Sequence, residues 1–333
     1  MQPSVLTPPA PLGPQRPSPG GSRRQRFLRR LRSGDQVAHL TTFLFALLII
    51  LITGALVFVL YRDSALARHT FGWKFVTSTE WDPVTADFGA LPFIYGTLVT
   101  SLLGLLLATP AGLGAAIFLA ELAPRRISDA LTFLIELLAA VPSVIYGLLG
   151  IFVLLPVIRQ YVHPPLAKTL GFLPLFQGTF YGVSYLSAGI VLAVMVVPFI
   201  VSISREVLLA VPADQREAAL ALGATQWDCT WGVVVPYARR GIAGSVFLAL
   251  ARAVGETMAV TMVIGNVPQI KYSLFAPGYT IAAVIANEFT EATDQIYLQA
   301  LVELALVLFV VTMIMNAFAR ILILTTAPRI EAE

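Results

Sequence analysis

The sequence predicts an all-α integral membrane protein with six transmembrane helices, and three observations carry that prediction. Of its 333 residues, 57% are hydrophobic and only 12% charged. The mean hydropathy is +0.80. Apolar stretches long enough to cross a bilayer recur along the chain. Soluble domains hold roughly 45–50% apolar and about 25% charged residues, so an apolar excess of this size has to face lipid.

A hydrocarbon core about 30 Å thick takes roughly 20 apolar residues per helix. The first run, 40–60, contains no charge. The others are expected at 92–120, 127–156, 185–204, 242–265 and 300–324, which makes one membrane domain over 40–325. Pro142, beside Ser143, should kink the third of these near its middle. The connection 63–91 carries Trp73, Trp81 and four acids. The stretch 159–184 is too broken by proline and glycine to span.

Ahead of the first run, residues 1–39 do not read as a cleavable signal, because they open on a Pro/Gly-rich stretch and the apolar run that follows is too long. This segment is expected to be a disordered tail that ends in an arginine cluster, Arg23 to Arg32 (RRQRFLRRLR). Six arginines next to a span suit an anchor to anionic lipid better than a nucleic-acid patch.

Orientation follows from the placement of charge. With the N-terminus inside, the inner segments hold seven tail arginines together with Arg125, Arg126, Arg205, Arg216, Arg239, Arg240, Arg320 and Arg329. The outer segments hold only Arg62, Arg68, Lys74, Arg159, Lys168 and Lys271. Positive residues concentrate on the cytoplasmic side of membrane proteins, so both termini, including the short tail 326–333, are expected there.

Several function classes drop out. A single cysteine, Cys229, excludes an intrachain disulfide framework. The three histidines, His39, His69 and His163, lie far apart with no cysteine or carboxylate at ligand spacing, so no metal site is expected. No G-x-x-x-x-G-K-[ST] loop is present, so the chain should bind neither ATP nor Mg itself and should be no enzyme alone.

The inner loop 205–241 carries the most specific pattern. Pro212 and Asp214 suit a helix start, QREAALAL favours helix, and Gly223 suits a C-terminal stop. Thr225 suits the cap of a second short helix that the Val235-Pro236 step would end. Ala218, Ala219 and Ala221 keep the surface low enough for close approach by a partner. Glu217-Ala218-Ala219, three residues, Gly223, nine residues, then Val233-x-Val235-Pro236 resembles the ATPase-docking signature of ABC-type import permeases. An interfacial hairpin that merely closes the loop is the plainer alternative. Tyr95 to Ser101 (YGTLVTS), Val141 to Gly147 (VPSVIYG), Phe172 to Phe176 (FLPLF) and Ala251 to Val260 (ARAVGETMAV) narrow the resemblance to the phosphate-specific branch. Met258 to Asn266 (MAVTMVIGN) favours its C-type permease over its A-type.

That resemblance covers residues 35–325. It implies the type I importer permease fold and a subunit of an ATP-driven importer for inorganic phosphate in a prokaryotic inner membrane. The implied partners are an A-type permease (PstA-like), two copies of an ATPase (PstB-like) that bind the ATP and Mg, and an extracytoplasmic phosphate-binding protein (PstS-like). Docking would fall to Glu217, Ala218, Ala219, Gly223 and Pro236. Sulfate or molybdate permeases and the A-type phosphate permease are the close alternatives; a secondary transporter, a channel or a membrane anchor are more distant ones.

Two ionisable residues stand inside an apolar run. Arg252 and Glu256 are four apart in the fifth expected span, hence on one helical face, with Arg252 about 15 Å deep at 1.5 Å per residue. A guanidinium can hold two oxygens of an oxyanion at once. A carboxylate can accept from the P–OH of protonated phosphate, which sulfate lacks at neutral pH. The resemblance also implicates this pair in phosphate passage; the plainer alternative is mutual neutralisation, with Glu136 or Glu303 as other partners for Arg252. Thr97, Thr100 and Ser101 share one face of the second span and either line the path or serve helix packing.

Overall fold

The computed structural model describes residues 35–326, with side chains over 38–321. The expected tail 1–39 therefore lies outside the described residues except where it opens the first helix, and so does most of 326–333. The chain divides into two units at Phe58. The first described unit is the greater part of α1, Asp35–Asp63. Its Thr41 and Thr42 hydroxyls donate to Ala38 O and its Thr53 hydroxyl to Ile49 O, so even its polar groups are satisfied within the helix, as a lipid-facing segment requires.

The second unit is a bundle around α7, Tyr185–Leu209. It begins with α2, Ala65–Phe71, α3, Lys74–Thr77, and a hairpin of β1, Trp81–Asp82, and β2, Asp87–Phe88. There follow α4, Leu91–Leu122, α5, Arg125–Ala139, and α6, Ser143–Leu170. After α7 come α8, Ala213–Ala221, α9, Gln226–Val254, α10, Met258–Ile264, α11, Ile281–Glu288, and α12, Gln295–Thr326. Among the described residues, six helices are long and apolar enough to cross a membrane: α1, α4, α6, α7, α9 and α12.

Small residues let α4 and α7 approach closely: Gly104 faces Leu192, Gly189 faces Leu103, and Gly112 faces Ile200. In lipid, packing of this kind holds helices together where the hydrophobic effect does not. A Ser204–Ser245 hydrogen bond of 2.7 Å, fully buried, ties α7 to α9. The core between them is apolar, with Tyr185, Leu192, Ile200 and Ile264 among its buried members.

At one end the segment 64–90 closes over α11 and α12. The Trp81 indole N–H donates to Glu288 Oε2 at 2.8 Å and the Tyr297 hydroxyl donates to the same oxygen at 2.7 Å. Phe88 stacks on Tyr297 with centroids 5.3 Å apart. Arg68 reaches Glu303 at 3.7 Å. The loop 265–280 turns back onto the start of α7, with the Tyr185 N–H donating to Ala276 O and the Leu186 N–H to Leu274 O.

Three expectations are corrected. The third span is not one helix kinked at Pro142: α5 stops at Ala139 and α6 starts at Ser143, with Pro142 extended between them at ψ 138°. Proline bars the residue before it from helical backbone, so Val141 ends the run. α6 then continues to Leu170, well into the stretch 159–184 expected to be too broken to span, with π-turns at Gly150–Leu154 and Ile158–Val162.

The second correction concerns Pro236, which does not end a short helix. α9 passes through it unbroken, because a π-turn at Thr230–Val234 precedes it. The wider turn takes the ring that a regular α-turn would force against the carbonyl four residues back. Hence the connection between α7 and α9 is shorter than 205–241: the helices end at Leu209 and resume at Gln226.

Third, the fifth span is not a single run over 242–265. It stops at Val254, leaves helical geometry through Gly255, Glu256 and Thr257, and restarts as α10.

Candidate functional site

The break after α9 determines the geometry of the ionisable pair. Arg252 lies in the last turn of α9 and is exposed, whereas Glu256 follows the break and is half-buried. They therefore do not share a face of one helix, as the four-residue spacing predicted. Glu256 instead turns toward the following helix, its Oε1 accepting from the Ala259 N–H at 3.3 Å, one of the N–H groups that the first turn of α10 leaves without a helical partner.

Arg252 is left with no carboxylate at ion-pair distance among the described residues. The two acids that might have answered it do not. Glu303 is engaged by Arg68, and Glu136 is exposed on α5. What surrounds the guanidinium is aromatic: its Cζ is 5.9 Å from the Phe199 ring centroid, and the Tyr146 phenol is within electrostatic reach. A cation on a membrane helix costs about 2.5–3.5 kcal/mol on insertion scales and almost always faces protein or water. Among the described residues, then, Arg252 is an exposed guanidinium without a carboxylate partner at the end of a broken membrane helix.

The hydroxyls on α4 are placed differently. Thr97, Thr100 and Ser101 are buried. Thr100 donates to Gly96 O at 2.8 Å and Ser101 to Thr97 O at 2.7 Å. Thr97 donates to Phe93 O at 2.8 Å and accepts the Ile281 N–H at 3.0 Å, which fixes the start of α11 against α4. Thr97→Val keeps the side-chain shape but leaves that buried N–H without its acceptor, and is expected to cost about 1–3 kcal/mol of stability. Thermal unfolding in detergent measures it, with Thr100→Val, which loses only a bond to its own helix, as the milder comparison.

At the opposite end of α9 lies the hairpin formed by α8 and the first turn of α9. Gly223 ends α8 with φ +90°, a backbone conformation that glycine adopts without strain. Thr225 forms a capping box with Asp228: the Asp228 N–H donates to the Thr225 hydroxyl oxygen at 3.2 Å and the Thr225 N–H to Asp228 Oδ2 at 3.2 Å. The Gly223 stop and the Thr225 cap were expected from sequence; the reciprocal bond to Asp228 was not.

Glu217, Ala218 and Gly223 are exposed, Ala219 is half-buried, and Pro236 is exposed on α9. Leu222, 90% exposed, and the Trp227–Trp231 pair, with centroids 5.6 Å apart, add apolar surface beside them. Cys229 is buried beneath the hairpin.

Sequence reasoning missed Glu121 at the end of α4, which pairs with Arg216 at 2.9 Å. No local signal links residues 95 positions apart. The Gly-Glu-Thr interruption at 255–257 was readable as poor helix former, but the apolar residues on both sides masked it.

The similarities of the chain agree with this geometry. A family model described as "Binding-protein-dependent transport system inner membrane component" matches residues 108–330. The chain is 46% identical to the phosphate transport system permease protein PstC of Mesorhizobium japonicum, over 94% of this chain and 95% of that protein. It is 47% identical to the protein of the same name from Xylella fastidiosa, over 92% and 94%. It is 36% identical to the probable PstC of Methanocaldococcus jannaschii, over 86% and 92%.

Among solved structures, a chain of a bacterial alginate ABC transporter superposes with a TM-score of 0.53 at 17% identity, covering 88% of this chain and 95% of that one. At that identity the likeness is one of fold. With six membrane-length helices among the described residues, an exposed hairpin bearing the Glu-Ala-Ala-x₃-Gly pattern and near-full-length relatives, the chain belongs to the binding-protein-dependent transport system inner membrane component family.

Proposed function

We propose that this chain is the membrane permease subunit of an ATP-driven importer for inorganic phosphate, and that it lines the translocation path together with a second, A-type permease. The observation that carries the reading is Arg252, a guanidinium that has no carboxylate at ion-pair distance among the described residues and stands at the end of a broken membrane helix. The names borne by relatives over more than nine-tenths of the chain point to phosphate as the anion.

In this reading both termini and α8 face the cytoplasm of a prokaryotic cell. Two ATPase subunits bind ATP and Mg, and one of them seats on Glu217, Ala218, Ala219 and Gly223, with Pro236 nearby. An extracytoplasmic phosphate-binding protein delivers the substrate. The arginine-rich tail holds anionic lipid. Arg252 attracts the anion, and Glu256, released from the Ala259 N–H, accepts a hydrogen bond donated by the P–OH of phosphate, for which sulfate has no proton. The buried hydroxyls of Thr97, Thr100 and Ser101 support the path by fixing α4 against α11. Alternation between inward- and outward-facing states follows from partners that bind the two states unequally.

The test is uptake of labelled phosphate, sulfate and molybdate at low external concentration. The host lacks its own high-affinity phosphate system and carries the partner subunits. Phosphate accumulation alone is the expected result. Accumulation of sulfate or molybdate keeps the permease and replaces the substrate. Uptake that persists without the ATPase identifies a secondary transporter.

A further inference from the structure

The arginine next to the Glu-Ala-Ala pattern makes a contact that the docking role does not require. Arg216 points away from the exposed side of α8 and into the bundle. Its Nη2 donates to Glu121 Oε1 at 2.9 Å and its Nε to Glu121 Oε2 at 3.4 Å, a two-pronged pair with the π-turn that ends α4. The same guanidinium donates to Leu208 O at 2.8 Å and to Val211 O, at the end of α7. Carbonyls in the last turn of a helix lack helical partners and carry the negative end of its dipole, so a cation there is doubly favoured.

Arg216 and Glu121 are largely buried, with side chains 23% and 11% exposed. α8 itself buries none of its residues. Its side-chain hold on the bundle therefore passes through Arg216, with half-buried Ala219 packed beneath. The π-turn that carries Glu121 is gripped from another side as well. The Ser128 hydroxyl donates to Leu119 O at 2.8 Å and accepts from Arg205 Nη2 of α7 at 3.1 Å.

We propose that Arg216 is a positioning residue for transport: one side chain pins the ATPase-facing helix α8 to the ends of α4 and α7, so that displacement of α8 moves both membrane helices together. The proposal rests on the docking reading of α8. A guanidinium suits the task because it meets a carboxylate and two carbonyls at once, whereas an ammonium acts as a point charge.

The experiment uses the complete complex of both permeases, ATPase and binding protein in liposomes, and reads phosphate accumulated per ATP hydrolysed. Arg216→Gln and Glu121→Gln are each expected to lower that ratio about tenfold, within the usual range for coupling between sites, with the ATPase still bound at wild-type amounts. The double variant should be no worse than either single one, and Arg216→Lys should recover part of the ratio. If Arg216→Gln does not assemble, Glu121→Gln, which leaves α8 unaltered, carries the test.

A brace with no part in coupling would reduce only the amount of assembled complex. A wild-type ratio in assembled Arg216→Gln, or in assembled Glu121→Gln, overturns the linkage and leaves docking intact. Full ATPase retention by a chain carrying Glu217→Arg and Ala218→Arg overturns docking, and the linkage with it.

Discussion

Arg252→Gln is expected to abolish phosphate uptake at low external concentration while leaving membrane insertion, subunit assembly and basal ATP hydrolysis in place. Glutamine keeps most of the length and some hydrogen-bonding capacity but removes the charge and the fork. Two charge-assisted hydrogen bonds to an oxyanion contribute about 1.5–3 kcal/mol each. At about 1.4 kcal/mol per factor of ten, their loss lowers flux by roughly a hundredfold or more. Arg252→Lys should fall between, because the charge survives and the bidentate geometry does not.

The separation from a folding defect is sharp, because Arg252 is exposed and has no ion pair to break among the described residues. Transport with the wild-type rate in Arg252→Gln would remove this residue from the path. A fall in the amount of inserted chain in step with uptake would assign it to the bundle instead.

Gly96→Ala is expected to be strongly destabilising. A Cβ at Gly96 would lie far inside van der Waals distance of the Tyr279 carbonyl oxygen, with the Tyr279 carbonyl carbon 2.9 Å away. Those are backbone atoms one residue before the Thr280 cap of α11, whose hydroxyl accepts from the Ala283 N–H at 3.3 Å. At the next residue of α4, Thr97 accepts the Ile281 N–H, so the methyl group would force apart a hydrogen-bonded seam.

Overpacking in a tight core costs about 1–3 kcal/mol and occasionally more, and a clash with backbone belongs at the upper end. Gly114 on the same helix has nothing within 4 Å of its Cβ position, so Gly114→Ala serves as the control and should be neutral or slightly stabilising. Folded yield in membranes and the thermal midpoint in detergent measure both; equal behaviour of the two variants would remove the seam from the argument.

Features set by composition and local chemistry were legible in the sequence. The uncharged run at 40–60 announces α1, and the Gly223 stop and Thr225 cap announce the hairpin beyond α8, because glycine and capping residues act within a few positions of themselves. Features set by departures from the regular α-helix were not. A π-turn has no residue signature, so the passage of α9 through Pro236 was hidden. At Pro142 the expectation erred the other way: a kink within one span was expected, and the chain leaves helical geometry from Ala140 to Pro142.

The site was legible as residues and not as geometry. Periodicity placed Thr97, Thr100 and Ser101 on one face without saying that this face meets α11. Spacing put Arg252 and Glu256 together, and it failed because Gly255 and Thr257 released the helix between them. Glu121 and Arg216 meet only through the fold.

One further consequence follows from the unbroken course of α9. Its 29 residues run from the α8 hairpin to the turn that bears Arg252, a length of about 43 Å at 1.5 Å per residue. Such a helix acts as a lever whose two ends do different work. A tilt of about 10°, comparable to rotations in switching oligomers, carries the far end through about 7 Å. A small angular step imposed at the α8 end thus arrives at the guanidinium as a displacement of several ångströms. The gain depends on stiffness. The π-turn that swallows Pro236 therefore matters mechanically, since a helix that ended there would leave the lever with a loose joint close to its driven end.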